Sequence, residues 1–107
     1  MDEALKTRIS ETIAQSRVVL FMKGSKHFPQ CGFSAQVVQI LKQKGADFKD
    51  VNILADAELR QGVKEYSNWP TFPQLFIHGE LIGGCDITLE LFESGELARM
   101  ISETQRQ

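Results

Sequence analysis

Apolar residues along this chain follow two different periods, and the switches between them mark out the elements. Leu5, Ile9 and Ile13 recur every fourth residue, the spacing of one face of an amphipathic helix. Val18-Val19-Leu20-Phe21-Met22 is an unbroken apolar run rich in strand formers, which fits a central strand covered on both sides. Gly24 to Gln30, with Pro29, reads as a loop. Helical spacing returns at Val37, Ile40, Leu41 and Lys44, and Gly45 is placed to stop that helix. Phe48, Val51 and Ile53 suit a second strand. Asp56 is a candidate cap for a helix whose apolar side carries Leu59, Val63 and Tyr66. Gln74 to His78 and Leu81 to Gly83 predict two strands joined by a tight hairpin at Gly79-Glu80. Asp86 is a candidate cap for the next helix, with Ile87, Leu91 and Phe92 on its apolar side. Gly95 ends that helix, and Leu97, Met100 and Ile101 form a last amphipathic stretch.

The predicted order is α-β-α-β-α-β-β-α-α. A strand, helix, strand unit followed by a helix and a hairpin implies an α/β fold, a four-stranded mixed sheet flanked by helices. This is also the order of the thioredoxin-like fold. The chain has 107 residues and no visible repeat, linker or low-complexity tract, so it reads as one domain over residues 1–107. A formal charge of −2 is too small to make nucleic acid or an anionic membrane the expected ligand. No apolar run approaches the roughly 20 residues of a membrane span. Met1-Asp2-Glu3 begins acidic where a signal peptide would be basic. The expected compartment is therefore the cytoplasm, where Cys31 and Cys85 stay reduced and a reactive or metal-binding thiol becomes worth testing.

Cys31 stands where a buried strand and a loop hand over to a helix. The first amides of a helix lack internal partners and carry a partial positive charge. A thiol there loses its proton more easily, and the thiolate is both nucleophile and metal ligand. Pro29 keeps the preceding backbone extended, Gly32 removes a side chain that would crowd the sulfur, and Lys23 is positioned to add positive charge. The competing reading of Cys31 is a small buried apolar residue. Three positions on, where a dithiol oxidoreductase carries its resolving cysteine, stands Ser34. A hydroxyl forms no disulfide, so any disulfide at Cys31 involves glutathione, Cys85 or another protein. His27 and His78 are metal candidates by residue type only, and surface positions are expected for both.

Four blocks in order, Lys23-Gly24, Cys31-Gly32-Phe33-Ser34, Trp69-Pro70-Thr71-Phe72-Pro73 and Gly83-Gly84-Cys85-Asp86, resemble the monothiol glutaredoxins with a Cys-Gly-Phe-Ser site. The resemblance covers nearly the whole chain. It implies a thiolate at Cys31 that ligates iron or forms a mixed disulfide with glutathione. It implies that Lys23 and Arg60 bind the glycine carboxylate of glutathione, a role suited to cations and to the Arg fork. Without it, both would read as solvated surface charges. Phe72-Pro73 resembles the family's cis-proline turn, which implies that the Phe72 backbone pairs with the cysteinyl part of glutathione. Gly83-Gly84 allows close backbone approach. Cys85 and Asp86 would open a helix whose amides hold the γ-glutamyl carboxylate, with the Asp86 carboxylate on its amino group.

A [2Fe–2S] cluster needs four thiolate ligands. One chain offers one well-placed thiolate, and two glutathione thiolates complete the set for two chains. The resemblance implies that arrangement: a homodimer bridged by a transferable cluster, acting in cluster assembly, storage and transfer. It also implies BolA-like proteins and iron–sulfur acceptor and scaffold proteins as partners. Cys85 leaves alternatives open. It stands where the family often has serine, and it reads as a pocket residue, a disulfide partner of Cys31, or a ligand that replaces glutathione. The alternative function is glutathione-dependent thiol–disulfide exchange, the removal of glutathione from proteins. A third is a glutathione-binding interaction module with an apolar patch around Phe33, a residue that can equally belong to the core.

Overall fold

The computed structural model describes residues 1–105, in the order the apolar pattern predicts. Helix α1 spans Glu3–Ala14, strand β1 Val18–Met22, α2 Gly32–Gln43 and β2 Lys49–Asn52. A 3₁₀ turn, Ile53–Ala55, leads into α3, Ala57–Ser67. Strands β3, Gln74–Ile77, and β4, Glu80–Gly83, precede α4, Cys85–Ser94, and α5, Glu96–Gln105. The sheet order is β2-β1-β3-β4, with β1 and β2 parallel and the other two pairings antiparallel. This is the four-stranded mixed sheet expected.

Strand β1 is apolar throughout because both of its faces are covered. Val18, Leu20 and Met22 join Val37 and Leu41 of α2, Leu75 and Ile77 of β3, and Leu97 and Ile101 of α5. Val19 and Phe21 point the other way, toward Ile9 and Ile13 of α1 and Leu59 and Val63 of α3. The rings of Phe21 and Phe76 meet edge to face on that side, with centroids 5.6 Å apart, a favoured aromatic geometry. Helices α1 and α3 thus cover one face of the sheet, and α2, α4 and α5 cover the other. Arg8 of α1 also reaches Asp56, the side-chain cap of α3, at 2.7 Å. The Leu59 amide that Asp56 caps, and after it Arg8, hold the Asp56 carboxyl below its usual range.

The structure moves several expected boundaries. Ile53 leaves the strand because the Asn52 side chain accepts from the Leu54 amide and winds the chain into the 3₁₀ turn. Tyr66 is on the exposed side of α3. The hairpin turns at His78-Gly79, one residue earlier than expected, and both residues have positive φ, +53° and +82°. That pair of left-handed residues is the requirement of a type I′ turn. Gly84 takes the N-cap position of α4, with Cys85 as its first residue, so Asp86 sits within the first turn. An acidic side chain there still complements the helix dipole.

Candidate functional site

Cys31 is the N-cap residue of α2, extended at φ −151°, with its carbonyl accepting the first helical bond from Ala35. The amides of Ser34 and Phe33 at the start of the helix face its sulfur as donors. The Ser34 amide contributes most, and together with the Phe33 amide, the Lys23 ammonium and the Ser34 hydroxyl it draws the Cys31 thiol below its ordinary range against the opposing effect of burial. Ser34 is fully buried, and its Oγ also accepts from the Lys23 amide at 3.1 Å. The residue in the resolving position therefore ties the end of β1 to the start of α2.

The loop before Cys31 is fixed from β2. Asn52 Oδ1 accepts from the Gly24 amide at 3.0 Å, and Asp50 Oδ2 from the Lys26 amide at 2.8 Å. Lys26 Nζ donates to the Phe48 carbonyl at 2.7 Å and lies over the Phe48 ring. Gly24, at φ +89°, is required: a Cβ would stand 2.5 Å from the Phe28 carbonyl oxygen. Two aromatics that flank Cys31 in the sequence face solvent, Phe28 at 78% and Phe33 at 61% exposure, so Phe33 is not a core residue.

A cavity of about 360 Å³ opens beside the sulfur, within the roughly 300–1,000 Å³ of small-molecule sites. Lys23, Cys31, Arg60, Phe72, Pro73, Gly84, Cys85 and Asp86 all line it, so the eight residues singled out in the sequence converge on one place. They come from the end of β1, the start of α2, α3, the turn before β3 and the start of α4. The Phe72–Pro73 peptide is cis. A Cβ at Gly84 would lie 3.3 Å from the Pro73 oxygen, so glycine permits these two walls to approach. His27 and His78 are exposed and line no part of the cavity.

A model of the glutaredoxin family matches residues 18–82, from β1 to the end of the hairpin, and so includes Cys31 with Ser34 beside it. The chain belongs to the glutaredoxin family. Its relatives place it on the monothiol branch. It is 59% identical over 99 residues to the chloroplastic monothiol glutaredoxin-S14 of Arabidopsis thaliana, covering 92% of this chain and 57% of that longer one. It is 52% identical over 101 residues to an uncharacterized monothiol glutaredoxin of Synechocystis, covering 94% of each. The solution structure of reduced poplar apo GrxS14 superposes with a TM-score of 0.84 at 57% identity, covering 96% of this chain and 94% of that one. These confirm the thioredoxin-like glutaredoxin fold.

The cavity of this glutaredoxin is also lined by Phe33, the residue of the expected apolar patch, and by Trp69, Thr71 and Ile87, which had no expected part in binding. Three of them stand inside the blocks that carry the resemblance, so motif membership was the available signal. Ile87 follows from its place in the first turn of α4. Among the described residues the buried Trp69 Nε1 has no hydrogen-bond partner, and it lies near Gly84 in the cavity wall. The second sulfur, Cys85, is buried and donates to Gln36 Oε1 of α2 at 3.1 Å. Burial first, then the Asp86 carboxylate and Cys31, push the Cys85 thiol up. The two cysteines of one cavity are thus driven in opposite directions.

Proposed function

We propose that this glutaredoxin binds glutathione in the cavity and, as a dimer, carries a [2Fe–2S] cluster that it delivers to acceptor proteins. The observation that carries the reading is the Cys31 sulfur, which lines the cavity with its thiol drawn below the ordinary range, while the resolving position three residues on is filled by a buried serine. Lys23 and Arg60 supply cations for one carboxylate of glutathione, and the amides that open α4 suit the other. The Asp86 carboxylate suits the γ-glutamyl ammonium. Among the described residues no three His, Cys, Asp or Glu side chains gather as a metal site. A cluster that needs four thiolates then draws on two chains and two glutathione molecules. Cys85, driven toward the neutral thiol and engaged with Gln36, fits that ligand set poorly. BolA-like proteins and iron–sulfur acceptor and scaffold proteins are the proposed partners, and the cytoplasm, which keeps both thiols free, is the proposed compartment.

A second reading uses the same thiolate as a nucleophile that removes glutathione from protein mixed disulfides. Its support is the lowered Cys31 thiol itself. Two measurements test the readings. Glutathione titrated calorimetrically should bind the native chain and bind a Lys23→Gln/Arg60→Gln chain about tenfold or more weakly, the scale of losing charge-assisted hydrogen bonds. Unchanged affinity would contradict the assignment of the cavity. Turnover of a glutathionylated test protein below about one per minute, far under typical enzyme rates, would exclude a mainly catalytic role.

A further inference from the structure

Cys85 opens α4 at 8% exposure, and its Sγ is engaged rather than idle. It donates to Oε1 of Gln36 over 3.1 Å. Gln36 lies five residues after Cys31, in the same helix. Helix α2 therefore carries the reactive sulfur at its N-terminus and, a little more than one turn along, the acceptor that holds the other sulfur. Both sulfurs line one cavity. A thiol that donates to a carbonyl oxygen has its proton in place and its direction set, whereas attack on a disulfide requires the thiolate turned toward its target. The Gln36 backbone is fixed inside α2 and its side chain is otherwise exposed, so among the described residues its amide serves to hold the Cys85 sulfur.

We propose that Gln36 is a positioning residue, whose side-chain amide holds the Cys85 sulfur against α2 and restrains it from attacking a mixed disulfide between Cys31 and glutathione. The proposal rests on glutathione as the ligand of Cys31. The restrained step is an exchange. Cys85, as thiolate, attacks Cys31 Sγ, the Cys31–glutathione S–S bond breaks, and a Cys31–Cys85 bond forms. Glutathione leaves as thiolate and takes up the proton that Cys85 released. One disulfide is consumed and one is made, so no further oxidant enters. Left unrestrained, that exchange would expel glutathione and tie up Cys31. With Gln36 in place the mixed disulfide persists until a second glutathione arrives.

The test uses metal-free, reduced protein treated with glutathione disulfide and followed by intact mass. In the native chain the Cys31–glutathione adduct should convert slowly to the internal disulfide. Gln36→Leu, on the surface of α2 and checked for an unchanged thermal melt, should convert about fivefold faster, the equivalent of one ordinary hydrogen bond. Gln36→Glu keeps an acceptor and should convert no faster than the native chain. Equal rates for the native and Gln36→Leu chains would overturn the proposal. A native chain that takes up no glutathione would contradict the glutathione reading, and a Cys31→Ser background then isolates Gln36. There iodoacetamide should alkylate Cys85 about fivefold faster once Gln36 is replaced by leucine, and an equal rate would overturn the proposal.

Discussion

Cys31 takes its character from the turn it caps, and most of that comes from backbone. The Ser34 amide is the largest influence on the sulfur, ahead of the Phe33 amide, the Lys23 ammonium and the Ser34 hydroxyl. A lowered pKa means that the thiolate is present at lower pH and that reactivity disappears only as the pH falls through that lowered value. The alkylation rate of Cys31 against pH should therefore have its midpoint below that of a free cysteine, and Cys85 should have its midpoint above. Lys23→Gln should move the Cys31 midpoint up. Ser34→Ala should move it less, because the Ser34 hydroxyl contributes less than the Lys23 ammonium. A Cys31 midpoint at or above that of a free cysteine would contradict this account. The position of Cys31 before a helix and the serine three residues on were legible from the chain. The double role of the Ser34 hydroxyl was not, since nothing in the spacing places it against the Lys23 amide.

Between elements, the loop that presents Cys31 depends on β2. Asn52 Oδ1 accepts from two amides, Gly24 at 3.0 Å and Leu54 at 3.0 Å, so one side chain shapes the loop before the sulfur and the turn after β2. Asn52→Ala leaves both donors short of a partner and should cost roughly 1–3 kcal/mol in chemical denaturation, with faster alkylation of Cys31 as the loop loosens. A loss below about 0.5 kcal/mol, within the range of neutral surface substitutions, would mean that water replaces the contact. The apolar pattern located the five α-helices and four strands in order, although β2 is only half-buried and excludes Phe48 and Ile53, two of the residues that predicted it. It misplaced junctions where single side chains or backbone angles decide. Asn52 converts Ile53 from strand to turn, and His78 adopts a left-handed backbone, which is uncommon even for histidine. Gln36 and Asn52 act across elements, and contacts of that kind leave no periodic trace.

Across the molecule, the sheet is the frame that brings distant residues together. With β1 central and covered on both faces, its end delivers Lys23 and the following loop to the cavity, while β3 begins beside it just after Phe72-Pro73. Residues between positions 23 and 87 then share one wall-to-wall space, although no local pattern in the chain joins them. The four-block resemblance anticipated that convergence, and the structure adds a solvent-facing Phe33 in the cavity wall. On the proposed function, one chain contributes the Cys31 sulfur to a shared cluster and glutathione completes the ligand set. Protein purified without oxygen in the presence of glutathione should be coloured, with thiolate-to-iron absorbance, and should have the mass of a dimer that releases two glutathione molecules on acidification. Cys31→Ser should remove the colour and leave a monomer. A colourless native monomer under the same conditions, or a coloured dimer that holds its cluster after glutathione is stripped, would contradict it.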